Sequence, residues 1–307
     1  MSHSEPAPVL VTGATGNTGR EVVAALLARG VPVRAAGTST RRLRELLPAA
    51  EPVRLDLREP ATFGPALRGC HGLFLLRPPA IADVKPTLNA LVDAARAGGV
   101  SHVVFLSVAG AGENRVVPHH AVERHLIEGP ADWTILRPGF FAQNLGDAYR
   151  RDLLEDDRLY LPAGRGRAAF VDVRDVAEVA ALAFLEPTAH AGQAWTLTGP
   201  ASTSFEEAAR LLTAALGRPI RYVPASLPGY ALHLRRRGLP WGQVAVQAIL
   251  HAGLRFGQAE RVDPTLARLL GRPGRTLSEY VRDHASLWRP SLAPPPPDAH
   301  GAPGRSD

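Results

Sequence analysis

The 307-residue chain is poor in several things at once: it has one cysteine, one methionine and only 6% aromatic residues. With Cys70 alone, neither a disulfide framework nor a cysteine-built zinc site can form. Cys70 follows Gly69 and precedes the apolar run Leu73-Phe74-Leu75-Leu76, a setting for a small buried residue rather than a nucleophile. Lysine is nearly missing as well. Of 35 basic residues, 34 are arginine and only Lys85 is lysine. Any chemistry that needs a lysine therefore rests on Lys85, which Pro86 follows directly. No run of about 18 apolar residues occurs, so no membrane-spanning helix is expected. The opening Met1-Ser2-His3-Ser4-Glu5-Pro6 has neither a basic stretch nor an apolar one, so no secretory leader is expected and a cytoplasmic location follows.

What is present is ordinary for a globular chain: 45% hydrophobic and 21% charged residues, which excludes a mainly disordered protein. The length allows one large domain or two small ones. Basic and acidic residues balance at 21 each over residues 1–199, whereas residues 200–307 hold 14 and 8, so the whole net charge of +6 lies in the C-terminal third. Arg235-Arg236-Arg237 is its densest point. Without interleaved aromatics or a nucleic-acid motif, this run reads as a solvated helix end, and neither nucleic acid nor membrane is expected as a partner.

From residue 8 to 145 short apolar strands alternate with helical stretches, the pattern of a parallel sheet with crossover helices. Strands are expected at Val9–Thr12, Val31–Ala36, Val53–Leu57, Leu73–Leu76, Val103–Ser107 and Trp133–Leu136. Helices are expected at Arg20–Arg29, Thr40–Leu47, Ala61–Leu67, Pro86–Ala97 and His119–Glu128. Helix Val173–Leu185 and strand Ala194–Thr198 return to the same sheet, and residues 202–216 and 240–270 read as helices outside it. The expected organisation is a flexible start at 1–7, a sheet domain at 8–198, a mainly helical part at 199–288 and a Pro-rich disordered tail at 289–307.

Between the first strand and the first helix runs Gly13-Ala14-Thr15-Gly16-Asn17-Thr18-Gly19. A glycine run of this spacing means little alone, but inside a strand–helix–strand unit it is what a dinucleotide-binding loop requires. The glycines permit a tight turn and let backbone N–H groups approach a pyrophosphate at the positive end of the helix. About 20 residues on, an NAD site places an acid for the ribose 2′-hydroxyl. This chain has Gly37-Thr38-Ser39-Thr40-Arg41-Arg42 and no acid before Glu45. Hydroxyls and guanidinium groups suit a 2′-phosphate, so NADP(H) is expected over NAD(H), through Thr38 and Arg41.

The glycine loop, Asp56-Leu57 after the third strand, and Val103-Val104-Phe105-Leu106-Ser107 together resemble the atypical short-chain dehydrogenases/reductases. His119-x-x-x-Glu123, the stretch Trp133–Asn144, Phe170–Ala177, Leu197-Thr198-Gly199-Pro200 and Leu277–Val281 narrow the resemblance to the NmrA-like branch. That branch holds both NAD(P)H-dependent quinone reductases and non-catalytic redox sensors. The resemblance spans residues 8–288 and implies a Rossmann-type doubly wound α/β fold with a smaller C-terminal part over the substrate crevice. It implies that Thr15, Asn17 and Thr18 join Gly13, Gly16 and Gly19 at the phosphates, and that Asp56 and Leu57 border the adenine. Leu76 and Arg77 would then lie under the ribose and nicotinamide. Arg137, Phe140, Phe141 and Asn144, at and after the sixth strand, are expected to face the substrate. Thr38 departs from the family, where an arginine often serves the 2′-phosphate.

Most catalytic relatives carry a Tyr-x-x-x-Lys pair. Here Ile81 stands four residues before the lone Lys85, so the pair is missing. His119 occupies the position where relatives have lysine or histidine. Its spacing of four from Glu123 puts both on one helix face, where the carboxylate would orient the imidazole and raise its pKa. His119 with Glu123 and Ser107 is the expected catalytic set. No metal is expected from His119, His120 and His125, whose spacing matches no ligand pattern. The resulting expectation is an NADP(H)-dependent oxidoreductase passing hydride to a quinone-like or similarly activated small molecule. The alternative is a cofactor-sensing regulator that binds a protein partner.

Overall fold

The computed structural model describes residues 7–130 and 132–289. Apart from Ala7 and Arg289, the expected flexible start and Pro-rich tail lie outside them. The chain opens with β1 (Val9–Val11), α1 (Asn17–Leu27), β2 (Val33–Gly37), α2 (Thr40–Leu46), β3 (Glu51–Arg54), α3 (Phe63–Leu67) and β4 (Gly72–Leu76). A π-helical turn at Lys85–Asn89 leads into α4 (Ala90–Ala97), followed by β5 (His102–Leu106), α5 (Pro118–Ile127) and β6 (Trp133–Pro138). Then come α6 (Arg150–Glu155), β7 (Arg158–Leu161), β8 (Arg167–Ala168), α7 (Val173–Leu185), α8 (Pro187–His190) and β9 (Gln193–Leu197). The C-terminal part contributes β10 (Thr203–Ser204), α9 (Phe205–Leu216), β11 (Arg221–Pro224), α10 (Leu227–Arg236), α11 (Trp241–Leu254), α12 (Thr265–Leu270) and α13 (Leu277–Asp283).

Seven strands form one sheet in the order β3-β2-β1-β4-β5-β6-β9, every pair parallel. Strands buried on both faces need continuous apolar runs, and Val9-Leu10-Val11, Leu73-Phe74-Leu75 and Val103-Val104-Phe105 are all fully buried. On one face α1 and α7 pack through Val22, Val23, Leu26, Val176, Val179 and Ala180. On the other, α3, α4 and α5 bring Phe63, Leu91, Val92, Val122 and Leu126. The chain starts in the middle of the sheet, runs outward to β3, then crosses back to place β4 beside β1. Strand order reverses there, so a crevice opens at the carboxyl ends of β1 and β4.

A third core lies beyond the sheet. It joins Leu145, Tyr149, Leu161 and Phe170, which precede α7, to Phe205, Leu212, Tyr230, Tyr280 and Trp288. Two small sheets serve it: β7 beside β11, parallel, and β8 beside β10, antiparallel. The helical stretch expected at 240–270 is two helices: α11 ends at Leu254, Gly257 turns the chain at φ +78°, and α12 starts only after Pro264, its N-cap. Helix α1 begins three residues before the expected Arg20, since Gly16 is its cap and the Arg20 N–H already donates to the Gly16 carbonyl.

Candidate cofactor and substrate site

Strand β1 delivers Thr12 to the crevice, where its hydroxyl donates to the Phe74 carbonyl (3.0 Å) and accepts from the Leu76 N–H (2.9 Å), tying β1 to β4. Gly13 then turns the chain at φ +61°, a left-handed conformation that a side chain resists. The Gly16 N–H closes the turn on the Gly13 carbonyl at 2.9 Å. Among the described residues no side chain caps α1, so the N–H groups of its first turn are left open at the positive end of the helix. This site fits a pyrophosphate, with Gly13, Thr15 and Gly16 on the loop and Asn17, Thr18 and Gly19 on the first turn of α1. Asn17 is already engaged: its amide donates to Asp147 and its carbonyl accepts from Arg20 (3.2 Å). Sequence reading did not find Asp147, which follows the sixth strand by nine residues. Burial pushes the Asp147 carboxyl up, while the Asn17 bond and Arg20 oppose the shift.

At the end of β2, Thr38 is exposed, and the Ser39 hydroxyl caps α2 by accepting from the Arg42 N–H (3.4 Å). Arg41 is 85% exposed and, among the described residues, reaches only Glu45, at 3.5 Å. Asp56 accepts from the Arg58 N–H at 2.9 Å, a turn contact, and Leu57 is buried in the core under α3 and α4.

Beyond β4, Arg77 donates through Nη1 to the carbonyls of Ile81 (2.6 Å) and Pro78 (3.2 Å), and through Nε to His119 Nε2 at 3.2 Å. This corrects the expected pairing of His119 with Glu123. Burial, aided by the Arg77 charge, lowers the His119 pKa to about 4 instead of raising it. Arginine only donates, so Nε2 must hold a lone pair and the neutral ring carries its hydrogen on Nδ1. His120 turns to the Ala111 carbonyl and His125 to Asp93, so the three histidines of α5 go to three different partners.

The sign of the His119 shift predicts an acid sensitivity. Folding favours the neutral ring, so its contribution to stability is whole above the ordinary pKa of 6.5 and is lost as pH falls toward 4. His102 and His251, also held at about 4 by burial, act in the same direction. Unfolding free energy measured against pH should fall across that window, and His119→Gln should flatten the slope by about one proton.

Glu123, 1% exposed on the inner face of α5, is occupied elsewhere. It accepts from the Ser107 hydroxyl at 2.5 Å and from Arg137 Nε and Nη2 at 3.0 and 2.6 Å. Ser107 at the end of β5, Glu123 on α5 and Arg137 at the end of β6 thus form one closed cluster, with the Ser107 proton held by the carboxylate. Phe140 stands edge-on to Phe170 (5.3 Å between centroids) and Phe205 (6.0 Å), half-buried against the third core. Phe141 packs against the sheet core instead, and Asn144 closes the loop with its N–H on the Phe141 carbonyl. Residues 139–145 therefore bridge the two cores beside the crevice.

Two features of the C-terminal part were not legible beforehand. His251, buried on α11, is held between the hydroxyls of Tyr149 (2.8 Å) and Tyr230 (2.7 Å). In the arginine run, Arg235 stacks over Trp241 at 5.0 Å and Arg237 pairs with Asp152, Glu155 and Asp156, so only Arg236 is without an ion pair or ring contact among the described residues.

Comparison with known proteins places this geometry. The sequence profile of a family described as NAD(P)H-binding matches residues 13–187. An NAD(P)H azoreductase from Xenophilus azovorans is 34% identical over 91% of this chain and 99% of its own length. The crystal structure of an NADPH-dependent quinone oxidoreductase from Escherichia coli, complexed with NADPH, superposes with a TM-score of 0.78 at 26% identity, over 90% of this chain and 99% of that one. NmrA, a negative transcriptional regulator solved with NADP, shares the fold with a TM-score of 0.72 at 17% identity, covering 92% and 97%. No helix among the described residues is long and apolar enough to cross a membrane.

Proposed function

Because this chain belongs to the NAD(P)H-binding family, we propose that it is an NADP(H)-dependent reductase of quinone-like or similarly activated small molecules. The observation that carries this reading is a site built to position an acceptor and poor in acids. Ser107 has given its hydrogen bond to Glu123, Glu123 is locked by Arg137, and His119 is neutral against Arg77. Nδ1–H of His119 can orient an acceptor oxygen but is no acid near neutrality. The Tyr-x-x-x-Lys pair is missing from the sequence. An electron-poor acceptor suits such a site, because its proton can come from water. With the cofactor's pyrophosphate held at the glycine loop, the reduced nicotinamide would supply the hydride. Arg77 then holds His119 in place, and Phe140 and Phe141 give the acceptor apolar walls.

The choice of NADP(H) rests on Thr38 and Arg41, which stand exposed where a 2′-phosphate would lie, with no carboxylate on β2. The test is NADPH absorbance loss with a panel of quinones, repeated with NADH. Turnover with preference for NADPH is expected. Arg41→Glu should raise KM for NADPH by roughly ten- to a hundredfold, the size of one charge-assisted bond, and leave that for NADH unchanged. Tight NADPH binding with no acceptor reduced would overturn the reductase reading in favour of cofactor sensing. The arginine run gives sensing little support, since Arg235 and Arg237 are engaged within the chain.

A further inference from the structure

The hairpin of α10 and α11 leaves one broad apolar face uncovered. Helix α11 turns Val244, His251 and Leu254 inward, Val244 and Leu254 into the third core and His251 between Tyr149 and Tyr230. At about 100° per residue these three share one side of the helix. The opposite side carries Ala245, Val246 and Ile249, flanked by Trp241 and Leu250, and Phe256 follows within one turn of the helix end. Their exposure is high: 64% for Trp241, 58% for Val246, 71% for Ile249, 52% for Leu250 and 84% for Phe256. No Asp, Glu, Lys or Arg occurs anywhere in Trp241–Leu254. A contiguous apolar surface of this size marks an interaction site rather than scattered exposed residues.

We propose that a second copy of this chain covers this face, the two α11 helices packing antiparallel about a two-fold axis. Area supports this occupant. At ~150–250 Å² for an aromatic side chain and less for an aliphatic one, scaled by these exposures, the five residues present roughly 600 Å², so complete coverage in two copies withdraws about 1,200 Å², the lower end of the range of specific dimers. Charge supports it as well. An uncharged face meets its own copy without repulsion, whereas a charged partner finds nothing to pair with along the helix. The midpoint of Trp241–Phe256 falls between Ala248 and Ile249, so the axis brings Ile249 close to the partner's Ile249 and sets each Trp241 beside the partner's Phe256. At the ends of the pair, Arg236 approaches the partner's Glu260. Neither has an ion pair of its own among the described residues. An anionic lipid surface is served less well, because Arg235 lies over Trp241 and Arg237 is held by three carboxylates.

Sedimentation velocity of the full chain, run from low to high micromolar concentration, tests the proposal. A dimer is expected. Ile249→Arg should give a folded monomer, with unchanged circular dichroism, because two like charges then meet near the axis. Ile249→Glu alone should do the same, and mixing the two variants should restore a dimer. A wild-type monomer at every concentration, or an Ile249→Arg protein that still dimerises, overturns the proposal. So does a monomer whose Ile249→Arg form shows a raised KM for the acceptor, which would assign the face to the substrate crevice, or one that binds anionic vesicles through it.

Discussion

Gly19→Ala is expected to weaken NADPH binding by roughly a hundredfold while leaving a folded protein. A Cβ at Gly19 would lie 2.2 Å from the Gly13 carbonyl oxygen, 2.6 Å from its carbon and 2.8 Å from Ala14 Cα. All three are backbone atoms, so no side chain can swing aside. The only relief is for the glycine loop to move away from α1, and that loop is where the phosphates are proposed to bind. Overpacking of this kind costs about 1–3 kcal/mol, a fall of several degrees in Tm for a chain of this size. The larger loss falls on the ligand, because displacing positioned groups by about 1 Å can cost a hundredfold. Titration of NADPH against wild type and variant, with Tm of the unliganded proteins alongside, separates the two effects. Gly64→Ala is the control, since nothing lies within 4 Å of a Cβ there. Unchanged binding in Gly19→Ala would remove the loop from the cofactor site.

The part of this site that a sequence can disclose is the part made by neighbours along the chain. β1, the glycine loop and α1 lie within 19 residues, so strand, turn and helix signals fall in one window, and the sheet follows from repeated apolar runs. The second part of the site is made by long-range partners. A spacing of four put His119 and Glu123 on one side of α5, but it could not say what faces that side. Arg77 arrives from β4 and Arg137 from β6, and each takes one member of the expected pair. Asp147 was hidden for the same reason: its partner, Asn17, is 130 residues away. The third core was hard to read because it draws residues 142–170 from between two elements of the sheet domain, with no break in composition to mark the change. Other element starts are marked in the sequence itself. Ser204 with Glu207 and Thr276 with Glu279 form capping boxes that fix the starts of α9 and α13. Ser226 followed by Pro228 announces α10 in the same way.

Arg137→Leu should be the most destabilising of the substitutions considered in this site, by about 3–5 kcal/mol or roughly 10 °C in Tm. The reason lies in Glu123 rather than in Arg137. Glu123 is 1% exposed, and without the guanidinium its charge would stay buried with the Ser107 hydroxyl as its remaining side-chain partner. Removing both charges removes that penalty, so Arg137→Leu with Glu123→Leu should recover most of the stability lost in the single variant. Thermal or urea unfolding of the two single variants and the double variant measures the coupling directly. Losses that simply add would mean that the pair is not energetically linked. The cycle also bears on function, because Ser107 donates to the same carboxylate that Arg137 holds. In Glu123→Leu the Ser107 hydroxyl regains a free proton. If wild-type Ser107 is idle because that proton is engaged, the double variant should bind acceptors with a carbonyl more tightly than wild type, with kcat for quinones little changed. A loss of quinone turnover in the double variant, at retained stability, would instead make the Ser107–Glu123–Arg137 cluster part of the machinery that positions the acceptor.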